Sequence, residues 1–185
     1  IANTTGSENT AVGRLALDAN TTGTDNTAIG NGALSANTSS NMTAVGSSAL
    51  LVNTSGTLNT AVGFAALQAN TTGSSNTAVG YRPLDANTTG NGNTAMGRGA
   101  MFYNTTGGEN TAIGQEALAN NTTADNNVAM GYYALKTNTT GASNTAIGTK
   151  AMENSTTAYQ NFVGGRAAWS STFTGGNNVV IGFDA

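Results

Sequence analysis

The sequence predicts an all-β protein, a parallel β-solenoid or β-roll built from 17-residue coils. Three observations predict it: an Asn-Thr-Ala-Val-Gly motif that recurs along the chain, two ladders of large apolar residues at fixed positions, and a second recurring motif, Asn-Thr-Thr-Gly. Repeats of this kind bury their apolar side chains only by stacking on neighbouring coils. The 185 residues should therefore form a rod and not a sphere.

The repeat period is read from the glycine that closes each Ala-Val-Gly or Ala-Ile-Gly unit. These glycines are Gly13, Gly30, Gly46, Gly63, Gly80, Gly97, Gly114, Gly131, Gly148, Gly164 and Gly182, and their successive separations are 17, 16, 17, 17, 17, 17, 17, 17, 16 and 18 residues. The last two intervals drift where new aromatic residues appear. We therefore predict a regular solenoid over residues 1–158 and degenerate repeats over 159–185 that act as a cap or transition.

The composition argues against several classes of function. Six basic and nine acidic side chains, a pI near 4.6 and no basic cluster argue against nucleic acid and against an anionic membrane surface as partners. Without cysteine or histidine the chain has no thiolate nucleophile and no thiolate or imidazole metal ligand. No apolar run approaches the roughly 20 residues that span a bilayer. We expect no enzyme activity, catalytic residue, cofactor, metal site or membrane insertion.

Positions within a coil are counted from its leading asparagine, so that Asn9 and Asn26 stand at position 1. Recurrent glycines and threonines leave no stretch of the roughly 12 residues that a stable helix needs, so short strands are predicted. Large apolar residues occupy position 4 (Val12, Ile29, Val45, Val62, Val79, Met96, Ile113, Met130, Ile147, Val163, Ile181) and position 9 (Leu17, Leu34, Leu50, Leu67, Leu84, Met101, Leu118, Leu135, Met152).

Alternation along the strands predicts two different faces. If Val62 and Leu67 point into their coil, Ala61 and Ala66 point outward. The aliphatic side chains would then fill an interior between two layers of strands. The alanines would form a flat surface that another chain can approach closely, so the predicted inter-chain face comprises Ala28, Ala61, Ala66, Ala78, Ala112 and Ala117. Charged residues occur only at positions 6, 7, 10, 16 and 17, which are therefore predicted to face solvent.

The asparagine at position 12 is predicted to mark a corner of each coil. Asparagine side chains stacked in register can hydrogen-bond along a ladder, and the following Thr-Thr-Gly supplies a turn. The predicted corner ladder consists of Asn20, Asn37, Asn53, Asn70, Asn87, Asn104, Asn121 and Asn138.

Aromatic residues at position 6 are the candidate surface contacts. They are Phe64, Tyr81, Tyr132 and Phe183, with Tyr133 beside Tyr132. Rings on a solvated position suit contact with a glycan or a protein, because they offer a large contact area at a low entropy cost. The same rings would also suit a seam between chains, and the sequence leaves both interpretations open.

The repeats resemble a known family of surface proteins. Asn-Thr-Ala-Ile-Gly followed by Ala-Leu resembles the head repeats of trimeric autotransporter adhesins, and residues 178–182 match their core most closely within this chain. The longer unit resembles arrays in bacterial surface proteins and phage-like tail fibres. The resemblance implies a left-handed β-roll, three chains packed about one axis, and a location outside the cell, at its surface or on a virion appendage.

The function implied by this resemblance is that of a non-enzymatic fibre or adhesin segment, a rigid rod that displays binding surfaces. Its partners would be further copies of itself, as a homotrimer or filament, and a host-surface protein or glycan. Two alternatives remain. Unpaired strand edges at the ends of the rod favour end-to-end assembly into a filament. The threonines at position 2 are compatible with an ice-binding solenoid. However, positions 2 and 4 lie on the same side of a strand, which predicts that the threonines point inward or to the rim.

Overall fold

The computed structural model describes residues 2–185 as an all-β solenoid without a helix. Each coil contributes one strand of three residues, and the eleven strands form one parallel sheet in chain order. The strands are β1 (Thr10–Val12), β2 (Thr27–Ile29), β3 (Thr43–Val45), β4 (Thr60–Val62), β5 (Thr77–Val79), β6 (Thr94–Met96), β7 (Thr111–Ile113), β8 (Val128–Met130), β9 (Thr145–Ile147), β10 (Phe162–Gly164) and β11 (Val179–Ile181). The predicted parallel β-solenoid with coils of about 17 residues is confirmed. Within residues 2–185, no helix has the length and apolar character of a membrane span.

The strand register corrects the coil boundaries near the C-terminus. Val163 pairs with Ala146 and Gly164 pairs with Ile147, so Val163 stands at position 3 and not, as predicted, at position 4. The closing glycine of this coil is Gly165, which has a positive φ of 128° like its equivalents in other coils. Because Gly164 and Gly165 are consecutive, either could be aligned with the closing glycine of the other coils, and the strand pairing shows that it is Gly165. The predicted drift to intervals of 16 and 18 is therefore wrong there.

The segment from 159 to 185 continues the same ladder. Strand β11 pairs in register with β10. Trp169 and Phe173 stack with their ring centroids 3.8 Å apart, and both rings pack against the core beside the last coils. The role of this segment as a cap or transition stays a prediction.

The Ala-Leu segment, predicted to be a second strand layer, forms consecutive turns instead. The N–H of Ala134 donates to the carbonyl of Gly131 at 3.3 Å, and the N–H of Asn138 donates to the carbonyl of Leu135 at 3.2 Å. Leu135 has a φ of 49°, which belongs to the left-handed region and not to a strand. Because the chain turns here, the adjacent side chains of Ala134 and Leu135 both point inward and are fully buried. The coil has one strand layer only.

The buried and exposed sides of the strand are the reverse of those predicted. The alanines at position 3 of β2 to β9 have no exposed surface, whereas Val12 and Ile113 at position 4 are 56% and 38% exposed. A coil of this size encloses little space, and the position 9 side chain fills most of it, so position 3 must be small. Alternation along the strand then directs position 4 outward. The predicted inter-chain alanine face is wrong, because all of its members are 0% exposed inside a single chain: Ala28, Ala61, Ala66, Ala78, Ala112 and Ala117.

Two asparagine ladders line the interior. At position 12 the Nδ2 of Asn87 donates to the Oδ1 of Asn70 at 2.9 Å and to the carbonyl of Gly90 at 3.1 Å. Bonds of the first kind join the asparagines from Asn37 to Asn138 in succession, as predicted, whereas among residues 2–185 the side chain of Asn20 bonds only within its own corner, to Gly23. A second ladder, at position 1, was not predicted. The backbone N–H of Asn93 donates to the Oδ1 of Asn76 at 3.0 Å in the preceding coil. Both columns bury amides that are satisfied by the neighbouring coils, so each coil fixes the register of the next.

The position 12 ladder is interrupted at Ser155. The Oδ1 of Asn138 and the Oγ of Ser155 are buried and have no hydrogen-bond partner. We expect Ser155→Asn to extend the ladder to Asn138 and to raise the free energy of unfolding by about 1 kcal/mol, since a buried acceptor gains its donor. Urea unfolding measures this change. The same substitution at the exposed Ser171 is the control, and a Ser155→Asn chain no more stable than wild type would contradict the interpretation.

Candidate functional site

The outer face of the sheet is a regular, uncharged array that we call the threonine–aliphatic face. It consists of the side chains at positions 2 and 4 of the eleven strands. Position 2 is threonine in eight strands, and position 4 is valine, isoleucine or methionine in all strands except β10. Of the two predicted orientations of the threonines, inward or to the rim, the inward one is wrong, since seven of the eight are half-buried and Thr10 is exposed. They share a side of the strand with position 4, as predicted, but that side faces solvent.

The dimensions of this face follow from the sheet. Parallel neighbours lie about 4.8 Å apart, and positions 2 and 4 of one strand lie about 6.6 Å apart. With ten steps between the eleven strands, the face runs for about 48 Å. Eight of its position 4 side chains are more than one third exposed, namely Val12, Ile29, Val62, Met96, Ile113, Met130, Ile147 and Ile181. An exposed apolar stripe of this length is typical of an interaction surface.

A second feature lies on the turn side of the coils that contain β5 to β8. It is an open groove of about 370 Å³, which we call the aromatic–cationic groove. Positions 6 and 7 form one wall, and positions 10 and 11 form the other. The side chains that define it are Tyr81, Arg82, Arg98, Phe102, Tyr103 and Lys136.

The groove exists because small residues interrupt two columns of larger ones. Gly99 stands at position 7, where the neighbouring coils have Arg82 and Glu116, and Ala119 stands at position 10 between Phe102 and Lys136. Gly99 and Ala119 both line the groove. The missing side-chain volume at these two places leaves a depression between aromatic and charged neighbours.

Two of the three cations in the groove are held by carboxylates. Arg82 pairs with Asp85 at 3.0 Å, and this hydrogen bond raises the pKa of Arg82. Lys136 pairs with Glu116 at 3.0 Å. Partial burial lowers the pKa of Lys136, but the hydrogen bond to Glu116 and its charge outweigh burial and leave that pKa raised. Both side chains therefore remain cationic at neutral pH.

Arg98 differs from the other two cations. Its side chain is exposed, and no carboxylate among residues 2–185 lies within ion-pairing distance of it. It lies in the groove between the coils of Arg82 and Glu116. Its guanidinium is therefore available to a ligand.

The five aromatic residues predicted as surface contacts do not form one site. Phe64 stacks on Tyr81 with centroids 5.4 Å apart, and both are exposed. Tyr132 stacks on Tyr133 at 3.8 Å, and a hydrogen bond between their hydroxyls raises the pKa of Tyr132. Phe183 lies apart, with the Arg166 guanidinium 4.9 Å from its ring centroid. Only Tyr81 lines the groove.

The sequence-based reasoning missed Phe102 and Tyr103, which form the second wall of the groove. Positions 10 and 11 were treated as ordinary variable positions. A signal was nevertheless present, because four of the five tyrosines and four of the six basic residues fall between residues 81 and 150.

No group of three or more aspartate, glutamate, cysteine or histidine side chains within the described part of the chain is arranged to hold a metal ion. Asp85 and Glu116, the acidic side chains beside the groove cations, form ion pairs with Arg82 and Lys136. Comparisons of the chain with protein-family models, with curated proteins and with solved structures found no match.

Proposed function

We propose that this chain is a non-enzymatic, rod-shaped segment of an extracellular fibre or adhesin. In this proposal left-handed rolls associate side by side as a homotrimer at a cell surface or on a virion appendage. The observation that carries the proposal is the threonine–aliphatic face, which leaves an apolar stripe exposed along one side of the rod, continuous from β1 to β9. The likeness of the repeats to adhesin head repeats supports the same arrangement.

Rigidity supports the structural role. One in-register sheet links every coil to its neighbours, and two internal asparagine ladders add side-chain hydrogen bonds between most of the coils. Bending the rod would require several of these bonds to lengthen at once. Such a stack suits a spacer that holds other surfaces at a fixed distance.

Burial of the aliphatic side chains supports association through this face. Each exposed valine, isoleucine or methionine that becomes covered contributes free energy in proportion to its apolar area, about 25 cal/mol per Å². The face has no charged side chain whose desolvation would oppose contact. The proposed inter-chain surface is thus at positions 2 and 4, in place of the alanines.

The test is the mass of the purified chain in solution, measured by light scattering. We expect three times the chain mass of 18.3 kDa for the wild type and a single-chain mass for Ile113→Lys, because the lysine places a charge in the middle of the apolar stripe. Thr106→Lys is the matched control, since Thr106 is exposed at position 14, away from the face. A monomeric wild type would contradict the trimer, and long filaments in electron micrographs would favour end-to-end assembly.

A second candidate function, adsorption to ice, is favoured by the outward threonines. Their side chains form a row with a repeat of about 4.8 Å, about 6.6 Å from the aliphatic row, so the face presents hydroxyl groups at regular intervals. The same samples separate the candidates. Thermal hysteresis shown by a monomeric wild type and lost in Ile113→Lys, but kept in Thr106→Lys, would support ice adsorption. A trimer without thermal hysteresis would exclude it.

A further inference from the structure

The aromatic–cationic groove goes beyond the proposed structural role, because it interrupts the uniformity of the rod. A spacer needs equivalent coils, yet the coils of β5 to β8 carry a concentration of rings and cations that the others lack. Tyr81 and Tyr103 expose about half of their surface, 52% and 55%. Two tyrosines exposed to this extent in one depression suit a contact surface, because a tyrosine combines an apolar ring with a polar hydroxyl.

The charge of the groove points to an anionic ligand. Arg82, Arg98 and Lys136 face it, whereas Glu116 is the one acidic residue in its lining. The chain as a whole has a net charge of −3, so this basic site is a local reversal of sign. Because Arg82 and Lys136 are already paired, Arg98 is the cation left to bind a carboxylate, and a guanidinium can do so with two parallel hydrogen bonds.

The rings specify the rest of the ligand. The face of Phe102 is occupied by the Arg82 guanidinium, 4.8 Å from its centroid. Phe64 covers one face of Tyr81, and Phe102 meets Tyr103 edge to face. The other face of Tyr81 and the exposed part of the Tyr103 ring are left for stacking. Tyrosine presents an apolar ring face and a hydroxyl that can hydrogen-bond, a combination that suits the C–H faces and hydroxyls of a sugar. A volume of about 370 Å³ lies at the small end of the range of ligand sites and has room for a short saccharide segment.

We propose that the groove binds a carboxylated saccharide, such as a uronic acid residue within an acidic polysaccharide. Tyr81 and Tyr103 stack on the sugar rings, and Arg98 binds the carboxylate. The groove lies on the turn side of the coils, at positions 6, 7, 10 and 11, so occupation of the threonine–aliphatic face leaves these positions uncovered in the same chain. The proposal does not rest on the trimer.

The test uses a hyaluronan tetrasaccharide and its carboxyl-reduced counterpart, which keeps the rings and removes the charge. Titration of the full-length chain, followed by NMR shifts of backbone amides, should show millimolar or tighter binding of the acidic form, with shifts confined to the coils of β5 to β8. The carboxyl-reduced form should bind about tenfold more weakly, since a charge-assisted pair contributes about 1.5 kcal/mol or more.

The decisive variant is Arg98→Gln, which should weaken binding of the acidic form about tenfold and leave the carboxyl-reduced form unaffected. Arg14→Gln is the matched control, because Arg14 occupies the same position 6 on an exposed site far from the groove. Tyr103→Ala should weaken both saccharides together. The proposal is overturned if the acidic saccharide produces no shifts at millimolar concentration, if both saccharides bind equally, or if Arg14→Gln lowers the affinity as much as Arg98→Gln.

Discussion

Replacement of Gly80 by alanine is expected to lower the free energy of unfolding by about 3 kcal/mol or more. Gly80 has a φ of 133°, a conformation that residues with a Cβ rarely adopt. An alanine Cβ would lie 2.8 Å from the carbonyl oxygen of Gly97 in the next coil, and that atom belongs to backbone and cannot move aside. Strain within the coil and a clash between coils therefore act together.

Gly99→Ala is the matched control for this substitution. Gly99 also has a positive φ, 62°, but its added Cβ would meet only the Cγ of Glu116 at 3.4 Å, an ordinary contact. Ala65 occupies the equivalent position with a φ of 52°. We expect a loss of about 1 kcal/mol for Gly99→Ala. Urea unfolding followed by circular dichroism compares the two variants. Equal urea midpoints would contradict the prediction, because they would show that the close approach of neighbouring coils at position 5 does not make an added Cβ more costly there.

Asn87→Asp should be as damaging, and its effect should depend on pH. The Nδ2 of Asn87 donates to the Oδ1 of Asn70 and to the carbonyl of Gly90. An ionised aspartate would place an oxygen against these two acceptors at a site with no exposed surface. We expect a loss of about 3–5 kcal/mol at pH 7, as is found when a buried charge lacks its partner.

The sign of the pH dependence follows from the same geometry. Burial and neighbouring acceptors raise the pKa of the new carboxyl in the folded state above its unfolded value of about 3.9. The folded variant therefore binds more protons than the unfolded chain between these two pKa values. Its stability should be highest below about pH 3.9, fall as pH rises to the folded-state pKa, and then stay constant.

The measurement is the urea midpoint of Asn87→Asp across pH 3 to 8, relative to wild type at each pH. Asn31→Asp serves as the control, because Asn31 is exposed at position 6, a solvent-facing position that is arginine in other coils. It should show little loss at any pH. A flat difference between Asn87→Asp and wild type across this range would mean that the new carboxyl is hydrated in the folded state.

The repeat pattern predicted the coil length, the parallel stacking and the position 12 ladder because these depend only on equivalent residues meeting in register. It did not predict which side of the strand is buried. Preference of large apolar residues for the interior suggested position 4, but a coil with room for Leu67 and two alanines cannot also hold Val62. A sequence signal existed. Position 3 is alanine in β1 to β9, whereas position 4 accepts valine, isoleucine and methionine, as expected of a less confined site.

The groove was harder to predict than the fold. Its two walls come from positions 6–7 and 10–11, whose proximity depends on turns with left-handed residues such as Leu84 and Met101. Leucine and methionine seldom adopt that conformation, so the sequence favoured a strand there. A strand at this place would keep positions 6–7 and 10–11 apart, so nothing in the sequence was a reason to place Tyr81 and Tyr103 in one depression.

Each strand contacts only the strands directly before and after it. Removal or duplication of a whole coil, such as the segment from Phe64 to Gly80, would therefore join surfaces that already fit each other. The gene for such a chain can change its number of repeats by recombination between near-identical segments, and each event alters the reach of the rod by about 4.8 Å. Length is then a heritable quantity that evolves in fixed increments, separately from substitutions that alter what the surface recognises.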